Sequence, residues 1–351
     1  MAMIPCGTFN SSYAEDMAVI RTRFQWGLLI ALLLFLFAIP LFANERLLNF
    51  MIMLAITIIS VQGLNILTGY AGQLSLGQSA FMAVGAYTSA MLTVNLGWSF
   101  WAALPCAGLS AAITGIIFGL PAARIKGFYL AMATLAAHFI IIYFILVLPD
   151  YTGGAVGMPV SAPQLGSISL AASENFYFVA VGLAVIMTYF TKSLVRTKPG
   201  RAFIAIRDND IAANVMGINI FSYKLLAFAI CSFYAGIAGS LLVHYIRYAT
   251  TDAFPLMNAI WYVGMIIIGG LGSVLGSILG VLMLNGLGEV TSMIMPWMSS
   301  SPLGVQRVAS LTYIFYAVVI MLFIIFEPRG LAHRWEIFKT SYRGWPFSYT
   351  S

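Results

Sequence analysis

Almost every stretch of this chain is an apolar run long enough to cross a bilayer. Near-continuous apolar segments fall at roughly 26–43, 48–68, 79–95, 99–120, 128–148, 175–191, 224–244 and 307–326, with a longer one at 257–296. A hydrocarbon core about 30 Å thick is crossed by about 20 apolar residues of helix. Inside lipid a span must satisfy its own backbone, so only helices and closed barrels are possible. Barrel strands read as alternating segments of about ten residues, and these runs do not alternate. With 61% apolar and 8% charged residues the chain also has too little polar surface to cover itself in water. The expected fold is an all-α polytopic membrane protein.

The stretch 257–296 is too long for one helix and is interrupted by Gly269-Gly270-Leu271-Gly272-Ser273, so it reads as two spans. That gives about ten transmembrane or re-entrant helices. Basic residues collect on the cytoplasmic side of a membrane and set orientation. With both termini cytoplasmic, Arg21, Arg23, Arg124, Lys126, the five basic residues from Lys192 to Arg207, Lys224, Arg329, Arg334, Lys339 and Arg343 fall inside. Only Arg46, Arg247 and Arg307 fall outside, so an even span number is favoured. The expected organisation is a cytoplasmic tail 1–25, one transmembrane domain 26–327 and a cytoplasmic tail 328–351. Two loops are long: 149–174, extracytoplasmic, and 192–223, cytoplasmic. The first run, Trp26–Ala43, follows Arg21 and Arg23 as a signal peptide would, but its length and the spans after it favour an uncleaved first span.

Several function classes drop out. No G-x-x-x-x-G-K-[ST] motif is present, so this chain hydrolyses no nucleotide through a P-loop; no H-E-x-x-H or Ser/His/Asp grouping suggests an intramembrane enzyme. Cys6, Cys106 and Cys231 are scattered and suggest neither a metal site nor a disulfide framework. The net charge of +6 is accounted for by topology and implies no nucleic-acid partner. No cofactor or metal is expected on this chain.

Charge is concentrated in one place. Lys192, Arg196, Lys198, Arg201, Arg207, Asp208 and Asp210 lie within 19 positions of a chain that holds 17 basic and 11 acidic residues in all. Residues 210–216, DIAANVM, fit a short helix with Asp208 or Asp210 at its N-terminus. Gly217 fits the left-handed stop. Ile211, Val215 and Ile218 make a small apolar face, and Ala212 and Ala213 keep another face low. Isolated helices below about 12–15 residues are marginal, so this one needs a surface to dock on. That surface is either the membrane domain, with the basic run on anionic headgroups, or a soluble partner.

A second unusual stretch is GYAGQLSLGQSAFMAVGAY, residues 69–87. Gly85, Ala86 and Ser89 suit close helix packing. Residues 72–79 make a poor continuous helix, and irregular backbone at membrane depth is tolerated where it lines a cavity or is buried in protein. Gly72, Gln73, Ser75, Gly77 and Gln78 are therefore candidates for a translocation path. GGLGSVLGSILG, 269–280, resembles this stretch loosely and suggests an internal duplication. The loop YTGGAVGMP, with Thr152, Gly153 and Gly154, offers backbone amides near the outer mouth, suited to a carboxylate, to gating, or to an ordinary glycine turn.

LTGYAGQLSLGQSAFMAVGAY (67–87) resembles the signature of the M-type membrane subunit of Liv branched-chain amino-acid importers, which are ATP-binding-cassette permeases. The similarity continues through TGGAVGM (152–158), GRAFIAIRDNDIAANVMGIN (200–219), KLLAFAICSFYAGIAGSL (224–241), IIIGGLGSVLGSILG (266–280) and EPRGL (327–331). Related urea permeases tend to carry His where this chain has Gln78, which favours the amino-acid branch. Asn209-Asp210 stands where the family more often has two acids, and Asn214 where it often has Glu. The resemblance implies a multi-pass protein of a bacterial inner membrane. Its expected partners are a second, H-type permease, two cytoplasmic ATPases carrying ATP and Mg, and an extracytoplasmic binding protein. It assigns coupling to the ATPase to Arg201, Ala205, Arg207, Asp208, Asp210, Ala212, Ala213 and Gly217.

Two alternatives stand beside it. One is a urea or amide permease of the same family. The other is a proton-coupled carrier, suggested by His138 in one span and by Asn285 and Glu289 in another, since ionisable residues at membrane depth are functional candidates. Against the carrier, Glu289 falls near the extracytoplasmic end, and one acid and one His make a thin relay.

Overall fold

The computed structural model describes residues 23–344 apart from 126, 166–167, 299–316, 319, 324 and 328. Within the described residues the apolar runs become helices. These are α1 (Arg23–Ala38), α2 (Glu45–Asn65), α3 (Gln78–Val94), α4 (Phe100–Ala122), α5 (Phe128–Val147) and a single turn, α6 (Pro149–Thr152). They are followed by α7 (Ser173–Arg196), α8 (Lys198–Asp208), α9 (Asp210–Val215), α10 (Ile220–Ile246), α11 (Leu256–Gly269), α12 (Val274–Met298) and α13 (Leu331–Gly344). Among the described residues strands are confined to two-residue pairs. Among the described residues seven helical segments are long and apolar enough to cross a membrane. The chain is a polytopic all-α membrane protein. The span expected at 307–326 lies mostly outside the described residues, although 317–318, 320–323 and 325–326 are helical.

α10 is the axis of the bundle, and it packs against α2, α3 and α4. In lipid, helix association draws on close packing and polar contacts rather than on hydrophobic expulsion, so small residues belong at the contacts. A Cβ on Gly85 would lie 2.3 Å from Gly236 Cα, and one on Gly239 would lie 1.9 Å from the Met82 carbonyl. Beside them Ser240 donates to Ser89 across 2.8 Å. Gly85, Ala86 and Ser89 are thus packing residues, as their small size suggested. A second buried polar set ties α2, α7 and α10: Gln62 donates to Thr188 at 2.8 Å, and Thr191 donates to Gln62 at 3.2 Å and bonds Tyr234 at 2.8 Å.

The two ends of the bundle differ. The proximal end carries α8 and α9, the bend at 123–125, the break at 71–77, the α11–α12 turn and α13. The distal end carries α6, the strand pair Met158–Pro159 with Tyr248–Ala249, and the hairpin Gln164–Leu165 with Ile168–Ser169. Arg124 and the basic residues of 192–207 lie at the proximal end. Arg46 and Arg247 lie at the distal end, where the Arg247 guanidinium holds the Ala171 carbonyl.

Candidate functional site

α2 does not stop cleanly. It widens into a π-turn at Ile66–Tyr70, and residues 71–77 are irregular until Gly77 opens α3. π-turns recur at functional sites. Gly72 has φ +69°, a conformation that favours glycine. A Cβ there would lie 2.9 Å from Arg207 Cγ. The helix holding that arginine is α8, which turns sharply out of α7 because Gly200 leaves room against the Leu194 and Val195 carbonyls. Phe203 anchors α8, fully buried and edge-on to Tyr223 at 6.3 Å.

Arg207 is held as a fork. Its Nε and Nη2 donate to Asp208 Oδ1 at 3.1 and 2.9 Å, while Nη1 donates to the Gly69 carbonyl at 3.0 Å. The planar, permanently charged guanidinium suits this double engagement, where an ammonium would not. The second glycine break meets the first at the same point. Gly272, at φ +73°, presents its Cα so that a Cβ would lie 2.8 Å from Arg207 Nη1. Asn65 bridges the two breaks, accepting from Gly272 N at 3.0 Å and donating to the Ser273 carbonyl at 2.9 Å. Gly330, from EPRGL, packs on Gly270 closely enough that a Cβ would clash with it at 2.5 Å. Four stretches distant in sequence therefore form one junction.

Beyond Arg207 the chain forms α9. Asn209 caps it, its Oδ1 accepting from Ala212 N at 3.0 Å. This corrects the expectation of an aspartate cap: Asp208 is engaged by Arg207, and Asn is as good a cap as Asp. Gly217 ends the helix at φ +82°, with Ile218 N returning to the Ala213 carbonyl at 3.0 Å, as expected of a left-handed stop. Ala213 is buried against the chain itself. Ile211 and Val215 are 72% and 82% exposed, and Met216 80%. Of the expected face, Ile211 and Val215 point away from the protein that carries them, whereas Ile218 is half-buried; Met216 joins the exposed side instead. Ala212 is exposed beside it, Ala205 is half-buried in α8, and Arg201 lies at the surface bonded to the Arg196 carbonyl. Asp210 opens α9 and lines a cleft of about 330 Å3 with Gly72, Gln73, Arg207 and Lys224.

The other candidates separate. Gln73 is 2% exposed, and both its amide atoms are without a hydrogen-bond partner among the described residues. Ser75 and Gln78 are buried in the helix junction: Gln78 donates to the Ser60 carbonyl at 2.8 Å and accepts from Cys231 at 3.0 Å. Gly77 packs by Phe81 and the Thr134 carbonyl. Gly72, Gln73, Ser75, Gly77 and Gln78 thus sit at the proximal end beside α8. Thr152, Gly153 and Gly154 are at the opposite end. There the amides of 153, 154 and 157 donate to Pro149 O, Thr152 Oγ1 and Gly153 O, so they are spent within the turn. His138 is buried on α5, which packs on α3, whereas Glu289 on α12 is ion-paired with Arg46. Sequence reasoning counted Arg46 only as a topological exception. It also passed over Asn49, Asn258 and His244, whose long-range neighbours no local pattern announces.

Fold and junction together define a multi-span helical membrane protein with a short, exposed apolar helix, α9, mounted beside a glycine junction. The chain belongs to the family described as branched-chain amino acid transport system, permease component, whose profile matches residues 46–326. The high-affinity branched-chain amino acid transport system permease protein LivM of Escherichia coli is 31% identical over 280 residues, covering 73% of this chain and 66% of its own length. LivM of Salmonella typhimurium is 32% identical over the same shares of the two chains. The probable branched-chain amino acid transport permease protein LivM of Methanocaldococcus jannaschii is 26% identical over 235 residues, 65% of this chain and 67% of its own. The chain thus spans about two thirds of the length of these relatives. No solved structure matches it.

Proposed function

We propose that this chain is a membrane-spanning permease subunit of an ATP-binding-cassette importer that moves branched-chain amino acids inward. ATP and Mg act on two separate cytoplasmic ATPase subunits; an H-type permease and an extracytoplasmic binding protein complete the complex. The proximal end faces the cytoplasm of a bacterial cell, both termini lie there, and about ten helices cross the inner membrane.

The observation that carries this reading is the outward apolar face of α9. A six-residue helix is too short to persist alone, and Ile211, Val215 and Met216 have no reason to stand in water unless a partner covers them. α9 is tied to Arg207, and Arg207 to the carbonyl of Gly69 where α2 ends. A push on α9 is thereby delivered to the junction that closes the cytoplasmic end. Below Thr57 the wall of α2 is sealed: Ser60, Val61, Gln62, Leu64 and Asn65 are all 0% exposed. ATP-driven movement of α8 and α9 would withdraw Arg207 from Gly69 and loosen both glycine breaks together.

A proton-driven carrier finds little support, since His138 and Glu289 sit on helices with different neighbours and Glu289 already has a cation. Gln78 lies in a packed network, so the amino-acid rather than urea reading rests on the relatives. Reconstitution tests the proposal. Liposomes holding the full complex should accumulate leucine only with internal ATP; uptake by this chain alone under a proton gradient would overturn it.

A further inference from the structure

At the distal end a cleft of about 810 Å3 opens between α2, α11 and α12. Its mouth is held by an ion pair. Arg46 Nε donates to Glu289 Oε1 at 2.5 Å, and Arg46 Nη2 donates to Ser292 Oγ at 2.7 Å. Four polar side chains line the cleft, Asn49 and Thr57 from α2, Asn258 from α11 and Asn285 from α12, with Thr57 the furthest along α2 from the mouth. The rest of the lining is largely apolar and aromatic, with Phe50, Trp261, Tyr262, Met265 and Leu284 from the same three helices. Thr57 lies 11 residues along α2 from Arg46, about 17 Å at the helical rise, so the cleft reaches roughly half-way through a bilayer. It ends where α2 becomes sealed.

Polar side chains at this depth face a water-filled cavity or protein rather than hydrocarbon. Small-molecule sites combine such a largely apolar wall with a few convergent polar groups. The mouth adds a cation and an anion side by side, with side chains 57% and 28% exposed. An ion pair that wet is weakly held and screened by salt. Another carboxylate can take the arginine fork bidentately while an ammonium takes the glutamate, so both charges stay paired throughout the exchange.

We infer that this cleft is a binding site for an amino-acid zwitterion. Arg46 takes the carboxylate, Glu289 the ammonium, and the apolar wall an aliphatic side chain. The Arg46–Glu289 pair is the resting latch that the substrate opens. The inference rests on the amino-acid reading above. It deepens that reading by placing the path between α2, α11 and α12 rather than at the glycine breaks.

Leucine uptake by the reconstituted complex, supplied with its binding protein and ATP, tests it. Arg46→Gln and Glu289→Gln should each raise the apparent KM for uptake about tenfold, the loss of one charge-assisted contact. The swap Arg46→Glu with Glu289→Arg should restore the ion pair but not the KM, because carboxylate and ammonium anchors change places against the apolar wall. Single variants with unchanged KM, or full rescue by the swap, would overturn the inference by leaving only a structural pair. A wild-type complex that imports no leucine would instead overturn the proposed function. If the charge variants do not assemble, Asn285→Cys gives an independent reading. Its labelling by a membrane-impermeant thiol reagent from the distal side should slow several-fold with leucine-loaded binding protein, and an unchanged rate would sink the site.

Discussion

Asn65 holds Gly272 from across 207 residues of sequence. Its Oδ1 accepts the Gly272 amide at 3.0 Å while its Nδ2 reaches the Ser273 carbonyl at 2.9 Å, with the side chain fully buried. Replacing Asn65 with Leu keeps the branched shape but removes both bonds and strands a part-buried N–H and C=O, each costing up to about 1–3 kcal/mol. Asn65→Leu should therefore lower the melting temperature of the detergent-solubilised protein measurably. An unchanged transition would mean that the breaks are held by packing alone.

The exposed face of α9 makes a different prediction. Ile211→Asp or Val215→Asp removes no internal contact, so stability should change by no more than about 0.5 kcal/mol. Copurification with the ATPase subunits should nevertheless be lost, because a charge is placed in the middle of an apolar docking face. Retention of stoichiometric ATPase by both variants would remove the assigned docking role.

Helix contacts at α10 can be tested by paired glycine changes. Gly239→Ala sets a methyl 1.9 Å from the Met82 carbonyl and should cost about 1–3 kcal/mol or more. Gly182→Ala, on α7, meets nothing within 4 Å and should be neutral or stabilising by up to about 1 kcal/mol. Thermal unfolding of the two variants side by side reads the difference.

Gln78 tests whether its neighbourhood acts through packing or specificity. Its amide joins α2, α3 and α10 through Ser60 and Cys231. Gln78→Leu should lower thermal stability by about 1–3 kcal/mol and leave the ranking of transported substrates unchanged. A variant of normal stability with altered substrate ranking would return Gln78 to the path.

Much of this was legible in the chain because a bilayer enforces long apolar helices, and those print directly into the sequence. An irregular break, expected at 72–79 and found at 71–77 with Gln78 and Ser79 already helical, the stop at Gly217 and the packing role of Gly85 followed from local residue chemistry. Asn209 was missed as the cap of α9 because two aspartates flank it, and only the structure shows that Arg207 occupies Asp208. The junction itself was invisible, since Gly69, Arg207, Gly272 and Gly330 converge only through tertiary contacts. The cleft at Arg46 and Glu289 depends on a pairing across 243 residues.

The central claim is that Arg207 transmits movement of α9 to the closed end of the bundle. It is tested most directly by measuring ATP hydrolysis and leucine uptake together in the reconstituted complex carrying Arg207→Lys. An ammonium cannot span Asp208 and Gly69 as the fork does, so hydrolysis should persist while uptake per ATP falls about tenfold, the effect of losing roughly 1.4 kcal/mol of coupling. Uptake and hydrolysis at the wild-type ratio would contradict the account.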